Sequence, residues 1–121
     1  YLARDAWSAK NAEAELNAIR SAVGQWQSVP GTILKFEEAG LVPPGVDIDG
    51  GDNTNVVYWV KKAAENGAVW VNNERMEISG VLAVTFPMYF DDHTIVEADM
   101  VFNGVDHRWF VDYNNSFSAD N

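Results

Sequence analysis

The chain has 121 residues, 47% of them hydrophobic, with five Trp, six Phe and four Tyr, which suits one folded domain spanning 1–121 and is too little for two. A formal net charge of -10, from 18 acidic and 8 basic residues, argues against nucleic acid as a partner, because phosphate binding needs a basic surface to displace counterions. There is no cysteine, so disulfides, thiolate nucleophiles and Cys-type zinc sites are excluded together, and no apolar run approaches the roughly 20 residues of a membrane span.

Residues 1–7 are short, but Tyr1, Leu2 and Trp7 would let them finish a strand or pack as an arm. A helix is predicted from Ser8 or Asn11 to Ser28. Leu16, Ile19, Val23 and Trp26 recur at helical steps as one apolar stripe, and Glu13, Glu15, Arg20 and Gln27 fall mostly elsewhere. Ser8 and Asn11 are candidate N-caps, and Pro30-Gly31 ends the helix in a turn. A strand is expected at 32–37, where Ile33, Leu34 and Phe36 are apolar, before the Pro43-Pro44-Gly45 break. Residues 46–55, VDIDGGDNTN, read as a loop, and NVVYWV at 55–60 as a buried strand. A polar connection over 61–79 holds a short strand at 68–71. Two strands at 80–87 and 95–103 then flank an acidic turn, and a polar, aromatic tail closes the chain. The pattern predicts an α/β (α+β) domain with one long helix packed on a twisted mixed sheet of four to five strands.

Two acidic groups could hold a hard cation. Asp47, Asp49, Asp52, Asn53 and Asn55 crowd oxygen donors into a glycine-containing loop, which suits calcium, although Gly50 and Gly51 come too early for an EF-hand and its twelfth position is Tyr58. Asp91, Asp92, Glu97 and Asp99 form the second group, with Asp91 and Asp99 as calcium candidates. The simpler alternative for both is a solvated turn. His107 stands alone beside Arg108 and Trp109 and has no partner that would make it a base or a ligand. No Ser/His/Asp arrangement is discernible.

Four segments, AIRSAVGQWQSVPGTILKFEEAG, DGGDNTNVVYWV, GVLAVTFP and TIVEADMVFN, resemble the first helix and the following strands of the metzincin zinc endopeptidases, in particular the matrixin-like branch. The resemblance covers roughly residues 15–110. It implies that Gly80, Val81, Leu82, Ala83 and Val84 belong to an edge strand that holds a peptide substrate by main-chain hydrogen bonds. It also implies a zinc helix with His-Glu-x-x-His, expected after Asn121; the chain's two histidines, His93 and His107, do not have that spacing. A structural zinc would need a His where this chain has Val84. The chain alone is therefore predicted to be inactive, with zinc belonging to the parent family and calcium as the candidate ion of the acidic loops. The family's first strand lies inside the sheet, so residues 1–7 either form a stub of it or leave a gap that parent sequence or a neighbouring chain would complete. No signal peptide opens the chain, and a processed, secreted or extracellular protein is expected. A noncatalytic binding or assembly module on the same scaffold is the alternative to a protease subdomain.

Overall fold

A computed structural model describes residues 1–43, 47, 49–72 and 75–111. The elements are β1 (Leu2–Ala3), α1 (Ala12–Gln27), β2 (Leu41–Val42), β3 (Val57–Val60), β4 (Trp70–Val71), β5 (Met76–Glu77), β6 (Ala83–Tyr89) and β7 (Ile95–Asn103). Five strands form one sheet in the order β2-β1-β3-β7-β6, and β4 and β5 pair separately as an antiparallel hairpin. β1 is parallel to β2 and β3, β3 is parallel to β7, and β6 is antiparallel to β7. The fold is thus mixed α+β, with one helix and a mixed sheet.

The apolar run that makes β3 explains the layering. Successive side chains of a strand point to opposite faces. Tyr58 joins Ala3, Val56, Val69, Val71, Ile78 and Val101 in one buried cluster. Its neighbour Trp59 joins Leu2, Ala6 and Leu16 in the other. Both faces of β3 are covered, one by α1 and the other by the β4–β5 segment, so the strand has no polar face and no alternation. The second cover is a layer the sequence pattern did not disclose. The strand expected at 68–71 is its β4, narrowed to Trp70–Val71.

α1 has 16 residues and starts one residue after Asn11, with no side-chain cap hydrogen bond. Leu16 is buried and Ile19 and Val23 are half-buried, as the stripe predicts. Trp26 departs from it and is 65% exposed. Glu15 departs in the other direction and is buried, because its Oε2 accepts the Trp7 amide at 2.8 Å and the Ser8 amide at 3.1 Å. Burial raises its pKa, while the Ser8 and Trp7 amides and Lys61 pull the other way. The carboxylate satisfies two amides of the connection into the helix, a task that no heptad-type pattern announces.

Residues 32–37 form no strand, in contrast to expectation. Ile33 is 97% exposed, and Leu34 and Phe36 are about half exposed. The β1 ladder pairs Leu2 with Leu41 and Ala3 with Val42, so residues 32–37 have no strand beside them, and strand-forming side chains without a pairing partner do not make a strand. Of the two alternatives for residues 1–7, a stub of the inner strand or a gap, the sheet has the stub: Leu2 and Ala3 form β1 between β2 and β3. Among the described residues no helix is long and apolar enough to cross a membrane. Val46 and Ile48 of the acidic loop, Pro44 and Gly45 of the break, and 112–121 of the tail lie outside the described residues.

Candidate peptide-binding edge and acidic loop

β6 is the outer strand of the sheet. Its register pairs Ala83 with Phe102, Val84 with Val101, Thr85 with Met100, Phe86 with Asp99 and Pro87 with Ala98. The Asn103 amide donates to the Leu82 carbonyl at 2.9 Å, which makes Leu82 and Asn103 a hydrogen-bonded pair. Such pairs alternate along an antiparallel ladder, so Val84 and Phe86 also bond to β7 while the backbone groups of Ala83 and Thr85 point outward. Pro87 falls in the outward set, where its missing N–H leaves the ladder intact. The free edge therefore offers the N–H and C=O of Ala83 and Thr85 and the C=O of Pro87.

The five residues expected to hold substrate divide at this point. Ala83 and Val84 lie in β6, and Leu82 accepts from Asn103 just ahead of it. Gly80 and Val81 form the turn that leads in: Gly80 has φ 74°, and the Val81 amide donates to the Ile78 carbonyl at 2.9 Å. Of the five, Ala83 alone presents its backbone outward from within β6, and Thr85, outside the expected five, continues the row.

A junction at the end of β7 fixes this entrance. Asn103 is fully buried; its Nδ2 donates to the Ile78 carbonyl at 3.1 Å and to Asp106 Oδ2 at 2.8 Å. Its Oδ1 accepts the Val105 and Asp106 amides at 3.1 and 3.0 Å. Asp106 Oδ2 also accepts the Gly80 amide at 2.7 Å, and that bond, with the Asn103 amide group, holds its carboxyl below the usual range. His107 Nε2 lies 3.3 Å from the Gly80 carbonyl. The signal available in the sequence was Asn103-Gly104-Val105-Asp106, an Asn and Asp at turn spacing directly after a strand.

The acidic loop is pinned by carboxylates that accept backbone amides. Glu97, buried on β7, takes the Gly51 amide at 3.1 Å and the Asn53 amide at 2.7 Å through Oε2. Asp99, 1% exposed, takes the Val56 amide at 2.9 Å. Asn55 Oδ1 accepts the Ala98 amide at 2.6 Å, and Asp52 Oδ1 accepts the Thr54 amide at 2.8 Å. Asp47 Oδ1 accepts the Tyr58 hydroxyl at 2.6 Å and the Asn72 amide at 3.0 Å. Asp49 and Asp91 are exposed. Thus Asp47, Asp52, Asn55 and Asp99, four of the six residues expected to offer calcium an oxygen, each direct one to a neighbouring donor. Among the described residues no group of three His, Asp or Glu side chains converges as a metal-holding set. His93 sits in the β6–β7 turn with φ 71° and His107 beside Gly80, so the two imidazoles do not form the pair that a catalytic zinc requires.

No protein-family model, curated protein or solved structure matches this chain.

Proposed function

We propose that this chain is the N-terminal subdomain of a secreted, matrixin-like zinc endopeptidase, and that its β6 edge holds the backbone of an extended peptide substrate. The observation that carries this reading is the sheet order β2-β1-β3-β7-β6, with the first strand between the second and third and one antiparallel strand outermost. That is the arrangement the four resembling segments imply. Ala83 and Thr85 supply outward donors and acceptors that an added strand would pair with, and main-chain pairing accepts many side chains. The same face of the sheet that α1 covers continues onto Ala83, Thr85, Ala98 and Met100, outside the cluster beneath the helix. A following helix would find that face open. The residues present do not fit a catalytic zinc, so no step of hydrolysis is assigned to them.

Titration of the isotope-labelled chain with a tryptic digest of casein tests the edge. The amides of Ala83 and Thr85 should shift ahead of those of Val84 and Phe86, and Thr85→Pro should abolish the response while leaving the β7 ladder intact, because the Thr85 N–H points away from it. Shifts confined to other strands would overturn the assignment. Tight binding of one zinc with cleavage of casein by the purified chain would overturn the reading of the residues as lacking the catalytic metal.

A further inference from the structure

The chain has three methionines, and the fold gives one of them a contact that the other two lack. Their exposures are similar, 43% for Met76, 40% for Met88 and 36% for Met100. Met76 lies in the separate β4–β5 hairpin, and Met100 lies on the face of β7 opposite to Glu97 and Asp99. Met88 is the register partner of Glu97, so their side chains stand together on one face of the sheet.

That pair grips the acidic loop. Glu97 Oε2 accepts the Gly51 amide at 3.1 Å and the Asn53 amide at 2.7 Å. The Met88 thioether lies against the neighbouring Gly50-Gly51 backbone. A Cβ at Gly50 would be 3.6 Å from Met88 Sδ and 3.9 Å from its Cγ, and a Cβ at Gly51 would be 3.8 Å from its Cε. The contact is therefore made by the end of the side chain on a stretch of backbone that has no side chains of its own. A thioether suits such a surface because it is unbranched, apolar and polarisable. Two holds of different character meet at Gly51: a carboxylate takes its amide, and a methionine covers its backbone.

We propose that Met88 is an oxidation site through which a peroxide loosens the acidic loop. The sulfur attacks one oxygen of hydrogen peroxide with a lone pair. An S–O bond forms, the O–O bond breaks, and the other oxygen leaves as water with both protons; methionine is oxidised and the peroxide reduced. The product is a polar sulfoxide in place of an apolar thioether. It stands beside Glu97, which is 2% exposed and is itself an acceptor, so the new oxygen is drawn to water and away from the loop. The exposure of Met88 admits the oxidant and leaves room for that movement. Gly50 and Gly51 lose their cover while Glu97 remains, so the loop is loosened at this end. Sulfoxide reduction makes the change reversible. The site does not depend on any activity at the β6 edge.

Two variants test it, each replacing methionine by leucine of similar volume. Met76→Leu/Met100→Leu leaves Met88 as the sole thioether, and Met88→Leu leaves the other two. Both are treated with hydrogen peroxide, the oxidised residues are identified by peptide mass mapping, and hydrogen exchange is read at Gly51 and Asn53, with Tyr58 and Val101 of the sheet as reference amides. Oxidation of Met88 in the first variant should speed exchange at Gly51 and Asn53 by about tenfold and leave Tyr58 and Val101 as they were, and methionine sulfoxide reductases should restore the slow rates. Oxidised Met88→Leu should show no change at Gly51 and Asn53. Unchanged exchange at these two amides once Met88 is oxidised, an equal increase in oxidised Met88→Leu, or a uniform increase at all four amides would overturn the proposal. So would a Met88 that stays reduced under conditions that oxidise Met76 in the parent chain.

Discussion

Glu97 and Asp99 lie on the same face of β7 and send both carboxylates into one loop, where Glu97 accepts the Gly51 and Asn53 amides and Asp99 accepts the Val56 amide. Two buried acids side by side hold the acidic loop against the sheet.

That proximity gives Asp99 a pH signature. Burial raises its carboxyl above the ordinary 3.8, the Val56 amide opposes the rise, and the charges of Glu97 and Asp52 add to it. A pKa raised by folding stabilises the fold below the ordinary value, and the contribution is lost as pH climbs through the folded value. Asp99→Asn keeps an acceptor for Val56 and carries no charge. Its Tm should match the parent in acid and exceed it by a few degrees at neutral pH, as about 1 kcal/mol does in a domain of this size. Parallel melting curves across the whole range would contradict this. Asp99→Leu strands the Val56 amide and should cost about 1–3 kcal/mol.

Asp106 carries the opposite sign. Its carboxyl is held low by the Gly80 amide and then by Asn103, so its contribution is present above the ordinary 3.8 and lost as pH falls through the folded value. Asp106→Ala should lower the Tm at neutral pH, lose that difference in strong acid, and speed hydrogen exchange at Gly80. An unchanged Gly80 amide would mean that Asp106 does not anchor the entrance to β6.

Gly104 is required by space. A Cβ there would lie 2.7 Å from Trp7 Cδ1 and 2.9 Å from the Val60 carbonyl oxygen. The Trp7 indole donates to the Gly104 carbonyl at 3.0 Å, so the ring cannot retreat without losing that bond. Gly104→Ala should destabilise by about 1–3 kcal/mol, read from denaturant unfolding. A neutral effect would show that the Trp7 arm moves freely.

Calcium can be tested independently. Chelation at low salt should lower the Tm if either acidic loop holds an ion, and an unchanged melting curve would count against it. A rise of several degrees with calcium would show that the loop binds an ion.

The helix and the long strands were legible because their signals are local: Leu16, Ile19 and Val23 keep helical spacing, and the runs in β3, β6 and β7 are dense in β-branched and aromatic residues. Three features were not legible, each for a nonlocal reason. Residues 32–37 have strand composition, but a strand needs a neighbour, and the register set by Leu2 and Leu41 leaves them none. Glu15 looks like a solvent-facing acid until the Trp7 and Ser8 amides come to it. The acidic residues at 47–55 and 97–99 have the composition of a cation loop, and the sequence does not show that Asp47, Asn55, Glu97 and Asp99 accept backbone amides from residues far away in the chain. At the candidate edge the strand was legible, but not which of its residues point outward. That depends on the Leu82–Asn103 pair that sets the ladder's phase.

The central claim is that this sheet belongs to a zinc endopeptidase whose catalytic helix follows Asn121 in the parent protein. Reading the coding sequence downstream of Asn121 tests it most directly. The account predicts an in-frame helical segment carrying His-Glu-x-x-His; a stop codon immediately after Asn121 would contradict it and favour a noncatalytic module that pairs through the same edge.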